Sequence, residues 1–169
     1  MSHAEDDCAY CCRCGTRFLL KIWPRECLAC GHVIYQNALA AVALIVPVGA
    51  GVLCIERAPT ASHAGGLALC GGHVERQTWQ EAAVAEFEQE VGPRLDVRDI
   101  ALFTVRSTED RRFTVVFARW MRSFTRLPDF TPNVEVARIF VADRPIPLCF
   151  KTHTEALQLW FDAKRPPPK

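Results

Sequence analysis

The spacing of apolar and polar positions divides the chain into stretches of different character. Residues 10–36 show no sustained period. Cysteines and turn residues dominate there, and the stretch is too short to bury a core. From Asn37 onward, apolar runs of strand length alternate with turn signals. Two β-branched runs, about Val42–Val48 and Val52–Arg57, meet at Gly49-Ala50-Gly51 and read as strands joined by a turn. A Gly-rich loop, Ala64-Gly65-Gly66, precedes Leu67-Ala68-Leu69-Cys70 and Gly71-Gly72.

The period then switches to that of a helix over Thr78–Val91. Ala83, Phe87 and Val91 recur at i+4 with Val84 beside them, which marks a buried stripe. Thr78 and Glu81 form a T-x-x-E capping box, and Gly92-Pro93 ends the helix. Strands follow at about Ile100–Arg106, Arg112–Met121 and Val134–Val141. A second helix covers about His153–Ala163, its apolar side carried by Ala156, Leu157, Leu159, Trp160 and Phe161. Strands, helix, strands, helix is the order of a mixed α/β (α+β) domain. The pattern assigns residues 1–9 to a flexible tail, 10–36 to a small ribbon, 37–164 to the mixed domain and 165–169 to a second tail.

Half of the 169 residues are apolar and 23% are charged, so the chain is not disordered over its length. Twenty basic against 19 acidic residues leave no charge excess for general nucleic-acid or anionic-membrane binding. Ala38–Ile55 carries no charge over 18 residues, the threshold for a membrane span, but Pro47, Gly49 and Gly51 interrupt it and favour strands. The acidic start, Glu5-Asp6-Asp7, has no apolar run behind it and is not a secretory signal. A cytoplasmic chain with reduced cysteines is therefore expected.

Six of the nine cysteines fall in the first 30 residues. Cys11-x-x-Cys14-Gly15 and Cys27-x-x-Cys30-Gly31 are two C-x-x-C-G knuckles, 12 residues apart. Two residues between thiols let one tight turn aim both sulfurs at a single ion, and the glycine lets the backbone curl beneath them. Two knuckles supply the four thiolates of a structural Zn²⁺ site, whose binding energy replaces a core. Cys8-x-x-Cys11 lacks the following glycine and is the weaker choice. A redox pair or four unrelated buried thiols are the competing readings. Cys8, Cys12, Cys54, Cys70 and Cys149 are left over, with Cys54 and Cys149 read as small core hydrophobes. The four tryptophans, His73 and His153 read as packing residues.

On the first helix, Glu86 and Glu90 are i, i+4 and face the same way, with Gln89 beside them. Two stacked carboxylates repel, unless a hard divalent cation sits between them. A solvated acidic face is the plain alternative.

The segment from Gly71 to Gly92 resembles the Nudix box, G-x5-E-x7-R-E-U-x-E-E-x-G-U with U bulky and apolar. Glu86 matches the Glu of its R-E pair, Phe87 the following U, Glu90 the second Glu of E-E and Gly92 the late Gly. Gly71 and Gly72 match the opening G-G, and Cys70 stands where Pro is usual. Together with the two knuckles, Tyr35-x-Asn37, Phe130-Thr131-Pro132-Asn133-x-Glu135 and His153-Thr154-Glu155-Ala156, the chain is similar to the Nudix subgroup with an N-terminal zinc ribbon. The box departs from its pattern in three places. It is one residue short between Glu75 and Thr78 and so lacks the early Glu. Ala85 stands for Arg, and Gln89 for the first Glu of E-E.

The resemblance implies an α/β/α sandwich with a mixed sheet. It also implies a hydrolase acting on a nucleoside diphosphate linked to another moiety, weakened by the departures. Glu86, Glu90 and Gln89 would hold Mg²⁺ or Mn²⁺. Glu86, Glu90 or Glu135 would serve in catalysis. A Gly71-Gly72 turn and Glu75 would approach the phosphates. A degenerate module that binds a nucleotide or a protein without hydrolysis is the alternative, and a homodimer is compatible with either.

Overall fold

The computed structural model describes residues 9–19 and 22–164. Cys8, the tail expected at 165–169 and all but Ala9 of the tail expected at 1–9 lie outside those residues. The chain divides after Asn37 into two compact units. The first is a ribbon. Strands β1 (Arg25–Glu26) and β2 (Val33–Ile34) pair antiparallel, and an isolated bridge joins Tyr10 to Arg17. Arg25 is buried, its guanidinium 4.3 Å from the Trp23 ring centroid.

The second unit holds two sheets and two helices. Its elements are β3 (Leu39–Ile45), β4 (Pro47–Val48), β5 (Gly51–Arg57), β6 (Leu67–Ala68), β7 (Cys70–His73), α1 (Trp79–Val91), β8 (Ile100–Ser107), β9 (Phe113–Trp120), β10 (Val136–Ala142) and α2 (Lys151–Lys164). A 3-10 turn, Val97–Asp99, precedes β8. One sheet runs β7-β3-β9-β8 and is mixed, because β3 and β9 are parallel and its other pairs antiparallel. The other runs β10-β5-β4, with β6 also on β5, and is antiparallel.

The uncharged run 38–55 lies at the centre of this architecture. Alternate residues of β3 feed two cores. Val42 and Leu44 pack with Ala83, Phe87 and Val91 of α1, and Ala43 and Ile45 pack with Ala156, Leu157 and Trp160 of α2. A strand covered on both faces reads as a continuous apolar run, and this explains the membrane-like stretch. No helix among the described residues is long and apolar enough to cross a membrane.

The expected single strand Val42–Val48 is corrected by the structure. It breaks at Val46, and Pro47-Val48 joins the other sheet against Gly51-Val52. Pro47 lacks an N–H for the first ladder and marks the change of sheet. Gly51 is required at this crossing, because a Cβ there would lie 2.4 Å from Val141 Cγ1. The capping box on α1 is present in both directions, and Gly92 closes the helix at φ +113° with its N–H on the Phe87 carbonyl. Trp120 and Trp160 are buried and Trp79 packs on the α1 core, as packing residues should.

Candidate active site and metal centre

In the ribbon, Cys11, Cys14, Cys27 and Cys30 place their sulfurs within 4.8 Å of one another. Cys11–Cys30 is 3.7 Å and Cys14–Cys27 is 3.5 Å, and all four are free of disulfides. A tetrahedron with Zn–S bonds of about 2.3 Å has edges of about 3.8 Å, so the donor set fits zinc in number, chemistry and size. The two knuckles repeat the same backbone. The Gly15 and Gly31 N–H groups return to the carbonyls of Cys11 and Cys27, with φ of +73° and +67°. Only glycine adopts that conformation without strain, and so each knuckle ends on one.

The second unit carries a cleft of about 1490 Å³. Its acidic wall is built from three elements. The exposed Glu75 comes from the loop before α1, Glu86 and Glu90 from one face of α1, and Glu135 from the loop before β10. Thus the structure gathers into one cleft the carboxylates that the sequence singled out. They do not form a tight cage. Among the described residues, only the four cysteines bring three or more metal-ligating atoms within 4.8 Å.

Gly71 and Gly72, expected in a turn, lie instead in β7, paired with Ala43 and Val42 of β3. The fold needs both glycines, Gly72 because α1 comes down on it and Gly71 because the β3 backbone lies against it. A Cβ on Gly72 would fall 2.3 Å from the Glu86 carboxyl carbon, and one on Gly71 would fall 2.1 Å from the Val42 carbonyl oxygen. The Gly71 N–H donates to Glu90 Oε2 at 2.9 Å. Gly72 therefore makes room for Glu86, and Gly71 lets β7 lie close on β3. The two neighbours give way differently. Gly71→Ala should cost at least the ~1–3 kcal/mol of overpacking, because backbone must move. Gly72→Ala should cost well under that, because only the tip of Glu86 must swing aside. Thermal unfolding of the two variants checks the contrast, which equal losses would contradict.

Charge crowding sets the electrostatics of this wall. Glu90 is 3% exposed, and burial pushes its carboxyl up to about 8, with Glu86 and Glu135 adding to the shift against the Gly71 N–H and Arg57. Glu86 is half-buried and also raised, by burial first and then by the charge of Glu135, with His73 opposing. No hydrogen bond reaches the Glu86 carboxylate among the described residues. Ala85, in the place of the expected Arg, lines the cleft and offers it nothing. Gln89 donates from Nε2 to Glu135 Oε1 at 3.1 Å, so the neutral residue in place of a box glutamate holds a neighbouring carboxylate. Oxygen donors of this kind suit a hard divalent cation.

The sequence pattern gave no functional role to several cleft residues, with His153 and Cys149 read there as packing residues. Arg57, at the end of β5, donates to Ser62 O at 2.5 Å and Ser62 Oγ at 3.0 Å and faces the Phe150 ring. Its only sequence signal is a charge ending an apolar strand. His153 Nδ1 accepts the Leu69 N–H at 3.3 Å. The ring stands against Phe117 and Phe150, and burial lowers its pKa to about 4, which keeps it neutral. Cys149 is half-buried and lines the cleft, whereas Cys54 is fully buried, with its thiol pushed up to about 12.

The profile of the NUDIX domain matches residues 36–162. No curated protein matches the chain by sequence. Among solved structures, a NUDIX hydrolase from Nitrosomonas europaea superposes with a TM-score of 0.68 at 21% identity, covering 92% of this chain and 91% of that one. A MutT NUDIX hydrolase from Burkholderia pseudomallei gives 0.59 at 21%, covering 72% and 97%. An ADP-ribose pyrophosphatase from Streptococcus suis gives 0.54 at 21%, covering 78% and 96%. At these identities the likeness is one of fold.

Proposed function

Because the chain belongs to the Nudix family, whose domain spans residues 36–162, we propose that it is a divalent-cation-dependent hydrolase of a nucleoside diphosphate linked to a further moiety. The observation that carries this reading is the placement of Glu86, Glu90 and Glu135 together on the wall of one cleft. Such crowding costs the empty protein stability and is relieved by a cation. Mg²⁺ or Mn²⁺, when bound, neutralises the diphosphate oxygens and activates water for attack at phosphorus. Glu86 and Glu90 would supply the main oxygen ligands and Gln89 Oε1 a weaker one, and Glu135 would add its charge to the hold on the cation and take a proton from water. Glu75 would approach the diphosphate from the loop beside Gly71 and Gly72. The four ribbon cysteines would hold a structural Zn²⁺.

The missing early Glu, Ala85 and Gln89 predict slow turnover, since each lost supporting contact at a metal site typically costs about 10–100-fold. Ala85 also favours a second reading, a module that binds a nucleotide without cleaving it, because Glu86 has no guanidinium to orient it. One fold relative is an ADP-ribose pyrophosphatase, so ADP-ribose is the first probe, followed by dinucleotides and nucleoside triphosphates. Turnover should require Mg²⁺ or Mn²⁺ and should disappear in Glu86→Gln. Binding of a probe without turnover, and without need for a cation, would replace the hydrolase by the binding module.

A further inference from the structure

We infer that Asn133 is a positioning residue that holds Glu135 in register with the glutamates of α1. The inference rests on the hydrolase reading of the cleft. Asn133 lies on the cleft loop, two residues before Glu135, and its side chain is used at both ends. Nδ2 donates to the carbonyls of Gln89, at 3.4 Å, and Glu90, at 3.2 Å, at the C-terminal end of α1. Oδ1 accepts the N–H groups of Glu135 and Val136, both at 2.9 Å. The Asn133 N–H adds a bond to the Val136 carbonyl at 3.0 Å. One amide thus ties the backbone of Glu135 to the backbone of Gln89 and Glu90, and the two side chains meet through the 3.1 Å bond from Gln89 to Glu135.

The opposite side of the loop is fixed elsewhere. The Ala58 N–H donates to the Glu135 carbonyl at 2.8 Å, and Thr60 Oγ1 donates to the Val134 carbonyl at 2.5 Å. Those bonds fix the loop to the end of β5 and leave its approach to α1 to Asn133. The last carbonyls of a helix have no partner within it, and here they recruit a donor from the element that carries a site carboxylate. Only an amide serves both ends. Aspartate keeps the two accepted bonds but sets negative charge against the helix carbonyls, and alanine loses every side-chain bond.

The test uses the full chain with Mn²⁺ as the probe and does not depend on turnover. Mn²⁺ affinity is read by water-proton relaxation, and the Gln89 side-chain amide by nitrogen-edited NMR. In the parent, the Gln89 amide should be shifted and slowly exchanging. Asn133→Ala should collapse that signal and weaken Mn²⁺ at least about tenfold, with the melting temperature lowered by a few degrees and the fold retained. Asn133→Asp should fall between the two. In a Glu135→Gln background, Asn133→Ala should bring little further loss of Mn²⁺ affinity, because it acts through Glu135. Additive losses in the double variant, or an unmoved Gln89 signal, would overturn the inference. If the parent binds no Mn²⁺, the hydrolase reading fails, and with it the use of this contact for a metal. The Gln89 signal then still decides whether Asn133 holds Glu135.

Discussion

Cys27→Ser is expected to strip zinc from the ribbon and unfold it, while the domain from Ala38 onward keeps its core. The ribbon pairs only two residues in each of β1 and β2 and leaves Tyr10, Leu28, Val33 and Tyr35 exposed, so it buries little apolar surface. Among the described residues, both hydrophobic clusters of the larger domain begin at Ala41 or later. Zinc bound by four thiolates contributes about 10–16 kcal/mol near neutral pH, far more than so small a core supplies. Protein purified without added metal should hold one zinc per chain, and Cys27→Ser close to none. Limited proteolysis should then cut the variant within 10–36 and spare the rest. A parent with almost no zinc, or a variant cleaved no faster than the parent, would refute the assignment.

The second large effect is a dependence of stability on pH without added divalent cation. Glu90 has its carboxyl raised from about 4.5 to about 8 by burial and by the charges of Glu86 and Glu135. The folded state thus holds a proton that the unfolded state releases. This contribution is complete below pH ~4.5 and declines as pH rises through about 8, a loss on the order of a few kcal/mol. His153 works in the other window. Its pKa is lowered from 6.5 to about 4, so its contribution is present above pH ~6.5 and declines as pH falls through about 4. Denaturant titrations from pH 4 to pH 9 should give a maximum between these limits. Glu90→Gln should flatten the alkaline arm and leave the acid arm in place. An alkaline arm unchanged in that variant would show that Glu90 does not cause it. Mn²⁺ should restore alkaline stability to the parent by favouring the charged carboxylates.

The chain's elements were legible wherever one local rule governed them. The capping box at Thr78 and Glu81, the stop at Gly92 and the buried stripe Ala83, Phe87, Val91 follow from neighbours within one helix. So do the knuckles, whose geometry is set by turn chemistry over five residues. The division into two sheets was not legible. Val42–Val48 is uncharged throughout, and although Pro47 interrupts it, only the pairing of β3 with the distant β9 and of Pro47-Val48 with β5 reveals that the chain changes sheets at Val46. The same limit applies to Gly71-Gly72. Their composition signals a turn, yet what selects glycine is close approach: the Glu86 carboxylate of α1 takes the space of a side chain at Gly72, and the β3 backbone takes it at Gly71.

The site divides along the same line. Glu86 and Glu90 announce themselves by spacing, since i, i+4 places them on one face. Their union with Glu135 depends on a loop 45 residues beyond Glu90. That loop is fastened by Asn133, Ala58 and Thr60, through contacts that no local pattern encodes. Arg57 was overlooked for a similar reason, because its partner Ser62 lies across a loop rather than along a helix or strand.

The most direct measurement of the central claim is a crystal of the full chain soaked with Mn²⁺ and ADP-ribose, with data collected to reveal anomalous scattering from manganese. The account predicts a manganese peak in the cleft, within coordination distance of carboxylate oxygens of Glu86 and Glu90, with the diphosphate beside it. A diphosphate bound in the cleft with no manganese on either glutamate would contradict it.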